Sequence, residues 1–149
     1  MILCYQSLVE KCEEGLLDDY SIEQVQPASV DLRLNEDIII PPLTKKLAST
    51  IEYVTIPPEY SGRVEGKSSL GRLGLLIHLT AGYIDPGFEG NITLELFNCH
   101  DEDLILKHGM GICQLCLEEL DEVPIKLYGE CGNHYQGQTG ITKSYLEKE

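Results

Sequence analysis

The fold class is indicated by residues 91–97, NITLELF, in which apolar and polar side chains alternate. Alternation with a period of two places Ile92, Leu94 and Leu96 on one face of an extended chain and the residues between them on the other. This pattern is typical of a half-buried β-strand. A carboxylate in the middle of such a strand, here Glu95, faces either solvent or a site that uses it.

The flanking sequence is also typical of β-structure. Residues 30–34, VDLRL, alternate in the same way, and the apolar run at residues 38–40 ends at two prolines. Proline and glycine then recur between Pro57 and Gly111, leaving room for short strands between turns. This spacing predicts an all-β barrel or sandwich.

One short helix is expected before the strands. Residues 7–10, Ser-Leu-Val-Glu, have the capping-box pattern, in which the first and last side chains cap the first helical turn. Leu8, Cys12 and Leu16 follow at a spacing that suits one helical face. We therefore expect a short helix to open the chain, with Ser7 in the capping position.

The domain organisation is expected to be simple. A length of 149 residues suits one domain with a proper hydrophobic core, and the sequence contains neither an internal repeat nor an interdomain linker. Residues 1–149 are therefore predicted to form one domain. The tail from about residue 129 is polar and contains glycine, so we expect it to become ordered late or on binding.

The charge balance excludes several classes of partner. There are 25 acidic and 11 basic residues, which give a net charge of −14. Binding to nucleic acid or to an anionic membrane needs clustered Lys and Arg, so neither partner is expected. The N-terminus becomes acidic too early for a secretory signal. We expect a cytoplasmic protein (host cytoplasm if viral) whose six cysteines are reduced and mostly packed as small hydrophobic residues.

The few cations are concentrated in one segment. Residues 63–72, RVEGKSSLGR, contain three of the eleven basic side chains, two hydroxyls and two glycines. Small residues let the backbone approach a ligand, while hydroxyls and guanidinium groups donate to phosphate oxygens. The spacing is not that of a Walker loop. Taken alone, the segment is either an anion site or an exposed basic turn.

Two carboxylates are candidates for proton transfer. Asp85 precedes Pro-Gly, as a turn aspartate often does, and Glu95 lies ten residues further on. Turn signals between them allow a hairpin that would bring both carboxylates to one pocket.

A zinc site is a tempting alternative. His100-Asp101-Glu102 and Cys113-Gln114-Leu115-Cys116 resemble the ligand pattern of zinc nucleobase deaminases. However, residues 112–117 have the pattern of a strand, where positions three apart point to opposite faces. Two thiolates on opposite faces cannot converge on one metal ion, so no zinc is expected.

Several blocks together resemble the dCTP deaminase family, which has the dUTPase-like fold. They are QPASVDLRL, GKSSLGRLGL, HLTAGYIDPGFEGNITLELFN, GICQL and YQGQTG, and they cover most of the chain in the family's order. The resemblance implies a distorted β-barrel of jelly-roll type that forms a homotrimer with sites at subunit contacts. It also implies deamination of dCTP without zinc, with Mg²⁺ accompanying the triphosphate.

The resemblance also implies roles for single residues. Glu95 would be the catalytic general acid/base, and Asp85 would recognise the 3′ side of the deoxyribose. Ser68 and Arg72 would meet phosphates and the catalytic water. The full set of implied substrate-binding residues is Lys67, Ser68, Ser69, Leu70, Gly71, Arg72, Ala81, Asp85, Thr93, Leu94, Glu95, Gln114, Tyr128, His134 and Gln138.

Gly82 and Tyr83 refine the expected reaction. The strictly deaminating branch of the family has His-Arg at these two positions, whereas Gly82-Tyr83 resembles the branch that also hydrolyses the triphosphate. We therefore expect a dUTP intermediate and release of dUMP for thymidylate synthesis, with Asp85 as the second catalytic carboxylate.

Other substrates stay open. His134 stands where the family usually has lysine, and a neutral imidazole offers less charge to a triphosphate than an ammonium. The alternatives are a deaminase that acts on dCMP or dCDP, a dCTP deaminase that releases dUTP, a dUTPase, and a trimeric nucleotide sensor without catalytic activity.

Overall fold

A computed structural model describes residues 1–147. The helices and strands are, in chain order, α1 Tyr5–Glu13, β1 Val30–Arg33, β2 Ile38–Ile40, β3 Lys45–Thr55, β4 Tyr60–Gly66, α2 Ser68–Gly71, β5 Leu75–Leu76, β6 Tyr83–Ile84, β7 Glu89–Asn98, β8 Leu104–Leu106 and β9 Gly111–Glu119. A 3-10 turn covers Ile22–Gln24. Within residues 1–147, no helix has the length and apolar character needed to cross a bilayer. The prediction of a mainly β fold with a short N-terminal helix is confirmed.

The N-terminal helix begins earlier than the capping-box pattern predicts. It starts at Tyr5 with Cys4 as the N-cap, so Ser7 lies inside the first turn and makes no capping hydrogen bond. The cause is tertiary: the Leu3 N–H donates to the Leu117 carbonyl at 3.0 Å, and the Tyr5 N–H donates to Pro27 at 2.9 Å. The residues that enter the helix are therefore fixed by these contacts. The short helix is confirmed, but Ser7 does not cap it.

Three antiparallel sheets share one hydrophobic core. Their strand orders are β1-β9-β4-β6, β2-β8 and β3-β7-β5. In β7 the side chains of Ile92, Leu94 and Leu96 are buried in the core. Thr93 and Glu95, on the opposite face, are only partly buried. The predicted assignment of faces is therefore confirmed.

A bulge in β3 fixes the start of β7. The register between these strands shifts between Ser49 and Tyr53. The Asn91 amide nitrogen donates to the carbonyls of residues 50, 51 and 52 at 3.3, 3.1 and 3.0 Å. Thr50 Oγ1 accepts the Ile92 N–H at 3.0 Å. Carbonyls that the interrupted ladder would leave unpaired are satisfied in this way, so the bulge stabilises one register.

A buried ion pair connects β1 to β3. The Glu52 side chain is 0% exposed, and its carboxylate accepts from Arg33 Nε at 2.6 Å and from the Arg33 backbone N–H at 2.8 Å. Gln24 Nε2 donates to the same carboxylate at 2.9 Å. The hydrogen bond to Glu52 raises the pKa of Arg33. A buried charge is tolerated only when it is paired and hydrogen-bonded, as this one is.

The six cysteines are free thiols, but they do not share one environment. Cys12 and Cys113 are buried among core residues, and burial raises the pKa of Cys12 to about 11. Cys4, Cys99 and Cys131 are exposed. The expectation that most of the cysteines pack as small hydrophobic residues is therefore wrong, because these three lie on loops or at a helix start rather than under a sheet.

Candidate active site

A cavity of about 500 Å³ lies against the face of β7 that carries Glu95. Its walls come from β3, the loop before β6, β7 and the C-terminal segment. The lining residues are Lys45, Leu47, Leu79, Thr80, Ala81, Tyr83, Ile84, Asp85, Phe88, Ile92, Thr93, Glu95, Tyr128, Tyr135, Gln138, Thr142, Ser144 and Glu147. We call this space the acidic cavity, since its lining contains three carboxylates and a single lysine.

Glu95 is held in the acidic cavity by the backbone. It is partly buried, and its Oε2 accepts the Leu79 N–H at 3.1 Å. Leu47 lies opposite Glu95 across the β3–β7 ladder and also lines the cavity. The carboxylate therefore has one oriented oxygen and an apolar neighbour, an arrangement that suits proton transfer to a bound ligand.

Asp85 lines the same cavity as Glu95, but the strand pairing that brings the two together differs from the predicted hairpin. It follows β6, which pairs with β4 in one sheet, whereas Glu95 lies on β7 in another. The two carboxylates line one cavity, as expected. The hairpin predicted to connect them is absent among the described residues, because β7 pairs with β3 and β5 instead.

The C-terminal segment closes one side of the acidic cavity. Gln138 pairs with Gly90 in a parallel bridge, and its Nε2 donates to the Asn91 carbonyl at 2.7 Å. The Thr142 N–H donates to Thr93 Oγ1 at 3.1 Å. At Gly90, where φ is +153°, an added Cβ would lie 3.0 Å from the Gln138 carbonyl oxygen. Glycine at this position therefore lets the segment lie along the strand.

Two aromatic residues assigned to the site differ in their placement. Tyr128 lines the acidic cavity, and its ring meets Phe88 edge to face at 5.4 Å between centroids. Burial raises the pKa of Tyr128. His134 lies outside the lining, where its ring stacks on Tyr145 at 3.6 Å between centroids with an interplanar angle of 22°.

The basic residues assigned to the site form a separate pocket. A space of about 450 Å³, which we call the basic pocket, is lined by Lys67, Ser68, Ser69, Arg72 and Gln114. None of the five lines the acidic cavity. Within one chain, the structure therefore places the candidate phosphate ligands apart from the candidate acid/base groups.

Besides His134 and Gly82, three assigned residues line neither space. The Leu70 side chain is buried at 7% exposure, and Leu94 is buried at 1% on the core face of β7. Gly71 ends α2 and is exposed. Because the Leu70 and Leu94 side chains point into the core, a ligand could reach these two residues only through their backbones.

Of the pair assigned to the second reaction, Tyr83 lines the acidic cavity and Gly82 does not. Ala81 also lines it, and Tyr83 is 59% exposed. Gly82 is buried against His78, where an added Cβ would lie 2.5 Å from His78 Nε2. His78 Nε2 is 3.1 Å from the Val64 carbonyl. A side chain at position 82 would therefore force the imidazole to move.

Sequence reasoning missed several residues of the acidic cavity. Lys45 and Leu47 come from β3, about fifty positions before Glu95, and Thr142, Ser144 and Glu147 come from the opposite end of the chain. Among the described residues that line this cavity, Lys45 alone is cationic. The alternation of β3 could have indicated its two faces, but nothing local indicated that β3 pairs with β7.

The predicted strand at residues 112–117 is confirmed as part of β9, with Cys113 buried and Cys116 partly buried. Among residues 1–147, there is no group of three or more His, Cys, Asp or Glu side chains placed to hold a metal ion.

Three antiparallel sheets surround one core, and this mainly β arrangement is the fold of the dUTPase-like class. A dCTP deaminase-like family model matches residues 35–120. The chain is 41% identical to the dUMP-forming dCTP deaminase of Thermobifida fusca, over 98% of this chain and 94% of that protein. The chain belongs to the dCTP deaminase family.

Solved structures agree with this fold. The 2′-deoxycytidine 5′-triphosphate deaminase from Agrobacterium tumefaciens aligns with a TM-score of 0.70 at 19% identity, over 80% of this chain and 48% of that one. The native dUTPase of EIAV aligns with a TM-score of 0.59 at 29% identity, over 75% of this chain and 89% of that one. The expected dUTPase-like fold is therefore confirmed.

Proposed function

We propose that this protein deaminates dCTP at carbon 4 of the cytosine and then hydrolyses the resulting dUTP to dUMP. The observation that carries the proposal is the position of Glu95, a half-buried carboxylate in a ligand-sized cavity that also contains Asp85. The proposal is supported by family membership and by the name of the Thermobifida fusca relative, a dUMP-forming dCTP deaminase.

Deamination exchanges the amino group at carbon 4 for oxygen. Water adds to carbon 4, Glu95 accepts a proton from it, ring nitrogen 3 is protonated, and the amino group leaves as ammonia. A positioned carboxylate that moves these protons contributes about 10²- to 10⁴-fold to the rate. Thr93 and the Leu94 backbone would contact the base next to Glu95, and Ala81 would help to hold the water with its carbonyl.

Hydrolysis of dUTP adds a second water at a phosphorus and releases pyrophosphate. Asp85 would accept the proton of this water, and the absence of a side chain at Gly82 would leave room for it. Ser68 and Arg72 would donate to phosphate oxygens. Mg²⁺ would enter with the substrate, bound by oxygens of the triphosphate, and would neutralise part of its charge.

We also propose a homotrimer with each site at a contact between subunits. The acidic cavity contains the proton-transfer groups and the basic pocket contains the phosphate donors, but one chain has them in separate places. A neighbouring subunit that brings its basic pocket to the acidic cavity would complete the site. Residues 1–149 would act as one domain in this assembly, in the cytoplasm where deoxynucleotides are used.

The same site could act on other nucleotides. The likeness to the EIAV dUTPase at 29% identity favours direct hydrolysis of dUTP as a second candidate function. His134 does not line the acidic cavity, because its ring stacks on Tyr145. It therefore adds no positive charge there for a triphosphate, and dCMP and dCDP are alternative substrates.

A product profile tests the proposal. Purified protein is incubated separately with dCMP, dCDP, dCTP and dUTP in the presence of Mg²⁺, and nucleotides and ammonia are quantified over time. We expect dCTP to yield equal amounts of ammonia and dUMP. Accumulation of dUTP would overturn the hydrolytic step, and turnover of dUTP without any ammonia from dCTP would identify a dUTPase instead.

A further inference from the structure

Two side chains of the β1 region support the basic pocket without lining it. Asp31 lies in β1, and Ser29 directly precedes this strand. Ser29 Oγ is 2.8 Å from Gln114 Oε1, and Asp31 Oδ2 is 2.5 Å from Lys67 Nζ. Gln114 and Lys67 both line the basic pocket, whereas Ser29 and Asp31 do not.

The hydrogen bonds of Gln114 determine the orientation of its amide. Gln114 Nε2 is 3.0 Å from the Gly66 carbonyl, which can only accept, so the nitrogen must face Gly66. Oε1 therefore faces Ser29, and the Ser29 hydroxyl must donate to it. Ser29 is 6% exposed, so this bond is shielded from water. One hydrogen of Nε2 stays available to a ligand in the basic pocket.

The ion pair between Asp31 and Lys67 fixes the start of α2. The two side chains are 18% and 28% exposed, and Asp31 Oδ1 is buried without a hydrogen-bond partner among residues 1–147. The ion pair with Lys67 is therefore the contact that holds the Asp31 carboxylate in place. The Lys67 carbonyl in turn accepts the N–H groups of Leu70 and Gly71 at 3.0 and 2.9 Å. Any movement of Lys67 would therefore move the short helix that carries Ser68 and leads to Arg72.

We propose that Asp31 and Ser29 are positioning residues for an anion-binding site in the basic pocket. Asp31 acts through Lys67 and holds the turn that presents Ser68 and Arg72. Ser29 acts through Gln114 and keeps one amide hydrogen directed to the ligand. The ligand class is the phosphate chain of a nucleotide, so the inference rests on the proposed function for its substrate, but it concerns binding rather than deamination.

Two double-mutant cycles test this inference. The variants Asp31→Asn, Lys67→Met and their double are compared with wild type, as are Ser29→Ala, Gln114→Ala and their double. Affinity for inorganic tripolyphosphate is measured by titration calorimetry with Mg²⁺, and KM and kcat are measured with dCTP. We expect Asp31→Asn to weaken tripolyphosphate binding about tenfold and Ser29→Ala about threefold, while each double binds as its pocket-lining single does.

The results separate positioning from general loss of structure. Asp37→Asn is the matched control, because it breaks an exposed Asp–Lys pair at 3.0 Å that lines neither pocket, and it should change affinity by less than about twofold. If Asp31→Asn does not fold, the cycle of Ser29→Ala and Gln114→Ala still decides, since the double is expected to bind as Gln114→Ala does. Losses that multiply in the doubles would overturn the inference, as would wild-type protein that does not bind tripolyphosphate.

This test also keeps the two proposals distinguishable. Wild-type protein that binds tripolyphosphate but releases no ammonia from dCTP would contradict the proposed reaction and leave the binding cycles to decide the inference. Wild-type protein that deaminates dCTP while the cycles are additive would contradict the inference alone. A raised KM with little change in kcat is expected for Asp31→Asn, because Glu95 lies in the other space.

Discussion

The acidic cavity and the basic pocket have similar volumes, about 500 and 450 Å³, but opposite chemistry. The cavity offers Asp85 and Glu95 against apolar walls, whereas the pocket offers Lys67, Arg72 and two serine hydroxyls. A nucleoside triphosphate needs both: proton transfer at its base and donors at its phosphates. If the proposed function is correct, a single chain carries both halves of such a site in separate places.

The largest expected effect comes from the carboxylate of the acidic cavity. Glu95→Gln keeps the size and the hydrogen bond from Leu79 but cannot move a proton. Ammonia release from dCTP, measured at saturating substrate, should fall by about 10²- to 10⁴-fold. Glu89→Gln on the same strand is the matched control, since Glu89 is exposed and does not line the cavity. Retention of wild-type ammonia release by the Glu95 variant would contradict the role assigned to the cavity.

The placement of Glu95 shows what the sequence could predict. Its face follows from the period-two geometry of a strand, which is local, and the structure confirms it. Its partners depend on which strands pair. Lys45 and Glu147 join the cavity from β3 and from the C-terminal segment, and no local pattern encodes such distant pairings.

The N-terminal helix shows where a local sequence pattern predicts the structure incorrectly. The local capping pattern at Ser7 is present, yet backbone hydrogen bonds from Leu3 and Tyr5 to distant residues start the helix earlier. The separation of Asp85 and Glu95 into different sheets has the same origin. Resemblance to a family supplied the identity of the candidate site residues, but not their division between two spaces.

The basic pocket should show a smaller effect that depends on phosphate. Arg72→Gln removes a guanidinium whose hydrogen bonds to phosphate would contribute about 1.5–3 kcal/mol, so kcat/KM for dCTP should fall by about 10- to 100-fold. The loss should be smaller for dCDP and smallest for dCMP. Arg63→Gln is the control, because Arg63 pairs with Glu65 and Glu118 and lines neither space. A loss of equal size for all three nucleotides would argue against a phosphate role.

Mixing the two variants tests whether the two spaces meet between subunits. Glu95→Gln and Arg72→Gln proteins are unfolded together, refolded and assayed for ammonia release. If each site takes its acid from one subunit and its arginine from another, about one quarter of the sites in random mixed trimers are intact. Because Arg72→Gln alone is expected to lose about 10- to 100-fold, kcat/KM for dCTP should then rise by about 2.5- to 25-fold above that parent, and further above the Glu95→Gln parent. Mass spectrometry should confirm that mixed trimers have formed. If these trimers show no recovery of ammonia release, both residues of each working site lie on one chain.

Substitution of Gly82 should affect the second reaction and the stability of the protein. Gly82→Ala puts a Cβ 2.5 Å from His78 Nε2, and overpacking of this kind costs about 1–3 kcal/mol of unfolding free energy. We expect a lower Tm and a product mixture shifted from dUMP towards dUTP. Gly66→Ala is the control for stability, because its added Cβ would meet only Ile77 at 3.7 Å. An unchanged product ratio would separate Gly82 from triphosphate hydrolysis.

The smallest expected effect distinguishes contact with a ligand from docking of the C-terminal segment. Gln136 donates to the Gly87 carbonyl at 2.9 Å and Gln138 donates to the Asn91 carbonyl at 2.7 Å, but only Gln138 lines the acidic cavity. Loss of one such hydrogen bond costs about 0.5–1.5 kcal/mol, which corresponds to about two- to tenfold in KM for dCTP. Gln138→Ala should raise KM more than Gln136→Ala, since it removes a donor from the cavity as well as from the docking contact. Equal increases would mean that both glutamines act through docking alone, and the boundary of the acidic cavity would then exclude Gln138.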